Sequence, residues 1–225
     1  RAFNGELTAR LYRAAARADA ARFIWLSSAK VLGEVSRAPL PVTAPLAPQG
    51  AYAHSKAAGE RALQHEAARG GPALCIVRPP LVYGPGVGAN FAALLRWALR
   101  GRALPLGRAS APRSLVGVRN LCSALLAAIE APAGIYHVTD GPALSVAALL
   151  RAVGHSARRD VPLWRIPPAL MALGATLVGR RGTYERLFTS LELATADSET
   201  RLSWQPPFSF EQQLQETVDW FLTQR

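Results

Sequence analysis

The sequence predicts an α/β fold in which short buried strands alternate with helices around a parallel sheet. Three observations carry this. The apolar runs "RFIWL", "ALCIV" and "GIYHV" are each followed by polar residues or by proline, the pattern of strands buried in a sheet. Between the runs lie segments of helical composition, long enough for the crossovers that parallel strands require. Half of the 225 residues are hydrophobic, which suffices for one large core in one or two domains.

The elements follow in order. Residues 4–18 have helical composition. Arg22 to Ser28, "RFIWLSS", is a short apolar run closed by two serines and reads as a buried strand. Residues 34–48 hold four prolines and form a loop. A helix runs from about Gln49 to Arg69 and stops at a Gly pair. "ALCIVRPPLVYG" begins as a strand whose ladder Pro79 and Pro80 interrupt. A helix spans Asn90 to Arg100. "SLVGV" is a short strand, after which Asn120 is expected to cap a helix reaching Glu130. "GIYHVTD" is a strand, Ser145 caps another helix, and "RRDVPLWRI" is extended. The apolar run Ile166 to Gly179 is too short to span a bilayer and is expected to be a buried or interfacial helix. In the last helix, "SFEQQLQETVDWFL", Ser209 and Gln212 have the spacing of a capping box.

Composition narrows the function. The formal charge is +11, and the only lysines are Lys30 and Lys56. From Ala67 to Ile129 there is no acidic residue, while Arg69, Arg78, Arg96, Arg100, Arg102, Arg108, Arg113 and Arg119 fall within that stretch. A solvated face, a membrane surface and an anionic small ligand are readings of this basic balance. Without a basic run or interleaved aromatics, a nucleic-acid partner is not expected. Cys75 and Cys122 make no CxxC, and the start is polar and Arg-rich rather than signal-like, so a reducing cytoplasm is expected and no membrane span. His54, His65, His137 and His155 show no metal spacing. Cys75 reads as core, and Trp164 as a residue that could line a pocket.

Ligands of parallel α/β sheets gather at the carboxyl ends of the strands. There stand Ser27 and Ser28, Tyr83, and the polar end of "GIYHVTD". Tyr52 and Lys56, four residues apart, share one face near a helix start. A phenol is a poor base at neutral pH, but an adjacent ammonium and a helix N-terminus both favour the phenolate. Such a tyrosine can exchange a proton with a substrate hydroxyl or ketone. Ser28 could hold the same oxygen. This is the acid/base half of dehydrogenase chemistry.

The ordered set "FIWLSSAKVLGE", "AYAHSK", "RPPLVYGPG" and "RSLVGVRN" resembles the extended short-chain dehydrogenase/reductase superfamily, and within it the nucleotide-sugar epimerases and 4-ketoreductases. The resemblance implies the C-terminal part of a Rossmann-like, doubly wound parallel sheet with a smaller α+β substrate-binding region. Residues 1–140 would be the remainder of the dinucleotide-binding domain, with substrate loops near 84–115, and 141–225 mainly substrate-binding. It implies NAD or NADP as cofactor, a UDP-sugar as substrate, a role in surface-polysaccharide precursor synthesis, and a homodimer for the full-length enzyme. By the same resemblance Ser28, Tyr52 and Lys56 are catalytic. Asn4, Ser27, Lys56, Pro79 and Tyr83 line the cofactor. Asn90, Phe91 and Arg113 hold the substrate, Arg113 at the diphosphate.

Several departures bear on this. Where the family's dehydratases show an Asp-Glu pair after the catalytic hydroxyl residue, this chain has Ala29 and Lys30, which disfavours water elimination. Leu81 stands where many epimerases have an Asn. The family's first strand and its GxxGxxG turn, which seat the pyrophosphate, are expected about ninety residues before Arg1, some three βα units earlier. "GPGVGA" (Gly84 to Ala89) has a similar pattern but no acid about twenty residues on, and reads as a substrate-side loop. The residue that separates NAD from NADP would also lie upstream. A non-catalytic module binding a nucleotide or a partner is the alternative function.

Overall fold

The computed structural model describes residues 3–101, 103–177, 179, 184 and 187–224. A π-helical turn, Phe3–Leu7, leads into α1 (Thr8–Arg17). Tyr12 anchors α1: its ring meets Phe23 edge-on at 5.3 Å and its hydroxyl donates to the Pro72 carbonyl at 2.6 Å. The central sheet has β1 (Arg22–Leu26), β2 (Ala73–Arg78) and β6 (Gly134–His137), all parallel, in the order β1-β2-β6. The register puts Trp25 opposite Ile76 and Val77 opposite Tyr136. β2 is apolar without alternation because both its faces are covered, as parallel strands require.

The crossover from β1 to β2 contains α2 (Gly50–Ala67). Ala53, Ala57 and Gly59 give it a small-residue face. A Cβ on Gly59 would lie 2.7 Å from the Asn4 carbonyl and 3.0 Å from Trp25, so only glycine lets the first turn and the strand approach this closely.

Pro79 and Pro80 end β2, and the chain then leaves the central sheet. β3 (Leu81–Tyr83) pairs in parallel with β5 (Leu115–Gly117), and β4 (Pro112–Arg113) pairs antiparallel with β7 (Leu144–Ser145). Between them lie α3 (Ala89–Ala98), α4 (Val118–Ala127) and α5 (Val146–Ser156). One core joins α3 and α5 to the C-terminal α7 (Phe210–Thr223) through Phe91, Leu95, Leu150, Leu214 and Val218. A second lies under β2, β6 and α4 around Cys75, Val77, Tyr136 and Trp204. The capping box at Ser209 and Gln212 is formed, and the Ser145 hydroxyl caps α5.

Two sequence expectations change. Asn120 does not cap α4, which already begins at Val118 with Gly117 before it. Instead its buried amide donates to Asp140 and to the Phe208 carbonyl, and its Oδ1 accepts from the Phe208 N–H. A tertiary demand has taken a good capping residue. The run from Ile166 forms α6 (Pro168–Leu177) at the surface, with Leu177 78% exposed. Of the two expectations, buried or interfacial, this exposure excludes full burial, while Met171 packs against the core. No described helix is long and apolar enough to cross a membrane.

Candidate active site

The carboxyl end of β1 carries the site. Ser27 and Ser28 follow the strand directly, and the Ser27 N–H continues the ladder to the Val77 carbonyl at 2.8 Å. A 3-10 turn, Ala29–Leu32, follows, and the Ser28 Oγ accepts from the Lys30 N–H at 3.3 Å. Across from it, α2 presents Tyr52 in its first turn, 56% exposed. Ser28 and Tyr52 line one cavity of about 570 Å³. Its other walls come from Lys30, Glu34, Trp97 and Arg113, with an apolar floor from α3 and α5. Trp164 is 62% exposed and stands outside this wall.

One turn below Tyr52, the Lys56 Nζ donates to the Leu26 carbonyl at 2.9 Å and lies 4.5 Å from the Trp25 ring centre. Burial lowers the Lys56 pKa from the ordinary lysine value. A further turn down is Glu60, fully buried. It accepts from the Ser27 hydroxyl and from Arg78, whose Nε lies 3.0 Å from Oε1 and Nη2 2.6 Å from Oε2. Arg78 Nη1 reaches the Val42 carbonyl of the proline loop at 2.9 Å. Helix, two strand ends and loop thus meet on one buried carboxylate.

A family comparison gives this geometry its setting. The family model described as "NAD dependent epimerase/dehydratase family" matches residues 2–140. The chain belongs to this family. It is 32% identical over 209 residues to UDP-glucose 4-epimerase of Vibrio cholerae, covering 89% of this chain and 63% of that protein. The chain therefore spans less than two thirds of that relative's length. In fold it is similar to UDP-glucose 4-epimerase of Thermotoga maritima solved with UDP-glucose (TM-score 0.77, 23% identity), covering 99% of this chain and 70% of that one. RMD of Pseudomonas aeruginosa complexed with NADPH is also similar (TM-score 0.78, 20% identity), covering 100% and 73%.

The remaining sites expected of this epimerase/dehydratase chain are placed as follows. The Asn4 side chain donates to Ser55 on α2 at 2.7 Å and so braces the helix that holds Tyr52. Ser27 turns its hydroxyl inward to Glu60 instead of outward to a ligand. The Pro79 carbonyl accepts from the Ala29 N–H at 2.8 Å. Tyr83 is a correction to a cofactor-facing placement: it is 1% exposed, stacks on Phe91 at 5.4 Å and donates to Asp140 at 2.5 Å. Burial first, then the Asp140 bond, raises its pKa. Asp140 also accepts from the Gly117 N–H and from Asn120, so the polar end of β6 serves the fold. Phe91 lines the cavity floor from within the core. Asn90 lies in α3, its side chain and Arg102 being outside the described residues. Arg113 lines the cavity and donates to the Thr189 carbonyl at 2.8 Å.

Sequence reading missed Glu60 and Arg78, yet each carries a signal. Glu60 interrupts the buried stripe Ala53, Ala57, Glu60 of α2, and Arg78 interrupts a buried strand. Charged residues in two buried patterns call for each other.

Arg78 also acts on His137, which is buried at the end of β6. Burial and then the Arg78 charge lower the His137 pKa to about 4. The unfolded chain takes up this proton near its ordinary value, so it binds more protons than the folded chain between about pH 6.5 and 4. Stability should fall as pH drops through that window, by about 3 kcal/mol from this residue. Thermal unfolding of wild type and His137→Gln at pH 7.5 and 4.5 checks it. Wild type should lose more than the variant; equal losses would exclude His137 as the source.

Proposed function

We propose that this chain carries the acid/base and sugar-binding part of an NAD(P)-dependent nucleotide-sugar enzyme acting at C4 of a UDP-sugar, by 4-epimerisation or 4-keto reduction. The observation behind this reading is the cavity at the carboxyl end of β1, where Ser28 and Tyr52 share a wall and Lys56 lies one turn below on the same helix. The names of the relatives, UDP-glucose 4-epimerases among them, support the substrate class.

The cleft fits the nicotinamide end of the cofactor. It opens beyond the strand ends, where open α/β sheets take such ligands, and the Lys56 ammonium has N–H groups beyond its one bond to Leu26. A nicotinamide held there would supply or take up the hydride at the sugar carbon. Tyr52, as phenolate, accepts the proton of the C4 hydroxyl during oxidation and returns it, as phenol, during reduction. Ser28 holds the same oxygen. Lys56, bonded to the Leu26 carbonyl, keeps the helix at its distance from β1. Arg113 takes the diphosphate with its guanidinium fork.

Residues 1–140 then serve the cofactor side and, through the loops near 84–115 with Arg113, part of the sugar cavity, which 141–225 close through α5 and β7. A cytoplasmic homodimer making surface-polysaccharide precursors is the setting this reading implies.

Arg113 supplies a direct test. Arg113→Ala should weaken UDP binding by about 1.5–3 kcal/mol, the usual worth of hydrogen bonds to a charged group. Arg113→Lys should restore only part, for want of the planar fork. Calorimetry with UDP measures both, and unchanged affinity would remove Arg113 from the site. Binding of UDP with no turnover of any UDP-sugar would favour a non-catalytic nucleotide-binding role.

A further inference from the structure

We propose that α6 and the groove beside it dock on an anionic membrane surface, the helix lying in the headgroup layer without crossing it. This face lies apart from the catalytic residues, and the inference stands whether or not the UDP-sugar reading does.

The solvent side of α6 is apolar. Leu170, Gly174 and Leu177 fall at i, i+4 and i+7 and so share one face. All three are exposed, Leu170 at 60% and Leu177 at 78%. Met171, Ala172 and Ala175 are half-buried. The Tyr184 hydroxyl donates to the Pro168 carbonyl at 3.2 Å and holds the start of the helix. The neighbouring surface continues the pattern. Trp164 is 62% exposed. Its segment is tied to residues 104–107 by the Trp164 N–H to the Leu104 carbonyl at 2.8 Å and the Gly107 N–H to the Trp164 carbonyl at 2.9 Å. A groove of about 360 Å³ opens between residues 104–106 and α6, walled by Trp97, Leu104, Pro105 and Met171, with the exposed Arg100 beside them.

Charge selects the occupant. The face is built from two stretches without any acidic residue, Ala67 to Ile129 and Val161 to Tyr184. In them Arg96, Arg100, Arg108 and Arg165 are exposed. Among the described residues none of these four makes an ion pair. Asp160 is the single acid between Asp140 and Glu185. Leucines and a tryptophan bordered by arginines have the composition of a helix that lies in a membrane interface. The leucines enter the acyl boundary, and the guanidinium groups reach the lipid phosphates while their stems stay on apolar surface. A second copy of this chain fits less well, because it would set arginines against arginines.

Co-sedimentation with vesicles of equal parts phosphatidylcholine and phosphatidylglycerol, against vesicles of phosphatidylcholine alone, tests the proposal. The protein should bind the mixed vesicles at least about tenfold more tightly than the neutral ones, and lose that preference as salt rises. Arg100→Gln and Arg165→Gln should each weaken binding about fivefold. Leu170→Asp combined with Leu177→Asp should weaken it at least about tenfold, with the melting temperature unchanged because both side chains are already exposed. No binding to the mixed vesicles would overturn the proposal. So would binding that the Leu170→Asp, Leu177→Asp pair leaves intact, since that is the general attraction of a basic protein to an anionic surface. Sedimentation velocity without lipid addresses the other occupant: a dimer that the same pair dissolves would assign the face to a second copy and overturn the membrane.

Discussion

In the full-length enzyme that the proposed function implies, turnover of a UDP-sugar by the Tyr52→Phe variant is expected to fall roughly a hundredfold to ten-thousandfold, the span of a lost general acid/base. The reason is local. Tyr52 stands exposed at the cavity with Ser28 on the adjoining wall, and phenylalanine keeps the ring while removing the group that moves the proton. Affinity for the substrate should change little, because the fall lies in the chemical step. Lys56→Met gives the companion result. The variant loses the ammonium that holds α2 to the Leu26 carbonyl one turn below Tyr52, so turnover should fall here as well. Steady-state rates across pH with a UDP-sugar and NAD(H) or NADP(H) measure both effects. Wild-type turnover in Tyr52→Phe would end its assignment as acid/base.

The largest stability effect should come from Glu60. Its carboxylate is fully buried between Ser27 and Arg78, and Arg78 is itself only 3% exposed. Glu60→Gln leaves the Arg78 guanidinium buried without its counter-charge. Breaking one partner of such a pair costs about 3–5 kcal/mol. For a chain of this size that lowers the melting temperature by roughly 6–20 °C. Removing both charges, as Glu60→Leu with Arg78→Met, should recover much of the loss, since a packed apolar pair serves as well as a buried ion pair. Thermal denaturation of the two single variants and the double variant completes the cycle. A Glu60→Gln protein as stable as wild type would show that solvent reaches Arg78.

The family and the fold class were legible in the sequence because they rest on repeated local patterns. "RFIWL", "ALCIV" and "GIYHV" are apolar runs with marked ends, and they form the three parallel strands β1, β2 and β6. Ser145 and Ser209 cap helices because a cap is satisfied within a few residues of itself. The order of Ser28, Tyr52 and Lys56 along the chain could be read as well. The direction in which each polar side chain points could not. Asn120 has the chemistry of a cap, yet its amide is spent on Phe208 and Asp140, eighty-eight and twenty residues away. Tyr83 sits at a strand end like a ligand residue, yet the fold brings Asp140 to its hydroxyl and turns it inward. α6 has a buried composition but lies at the surface, since burial depends on whether another element covers it. Above all, Glu60 and Arg78 are each improbable in a buried segment alone, and only the packing of α2 on β2 makes them one ion pair. Sequence by itself determined which residues could form strands and helices, because those properties are set by neighbours along the chain. Tertiary structure alone decided which polar groups face the cavity and which satisfy one another inside, because a buried hydrogen-bonding group must find its partner wherever the fold supplies one.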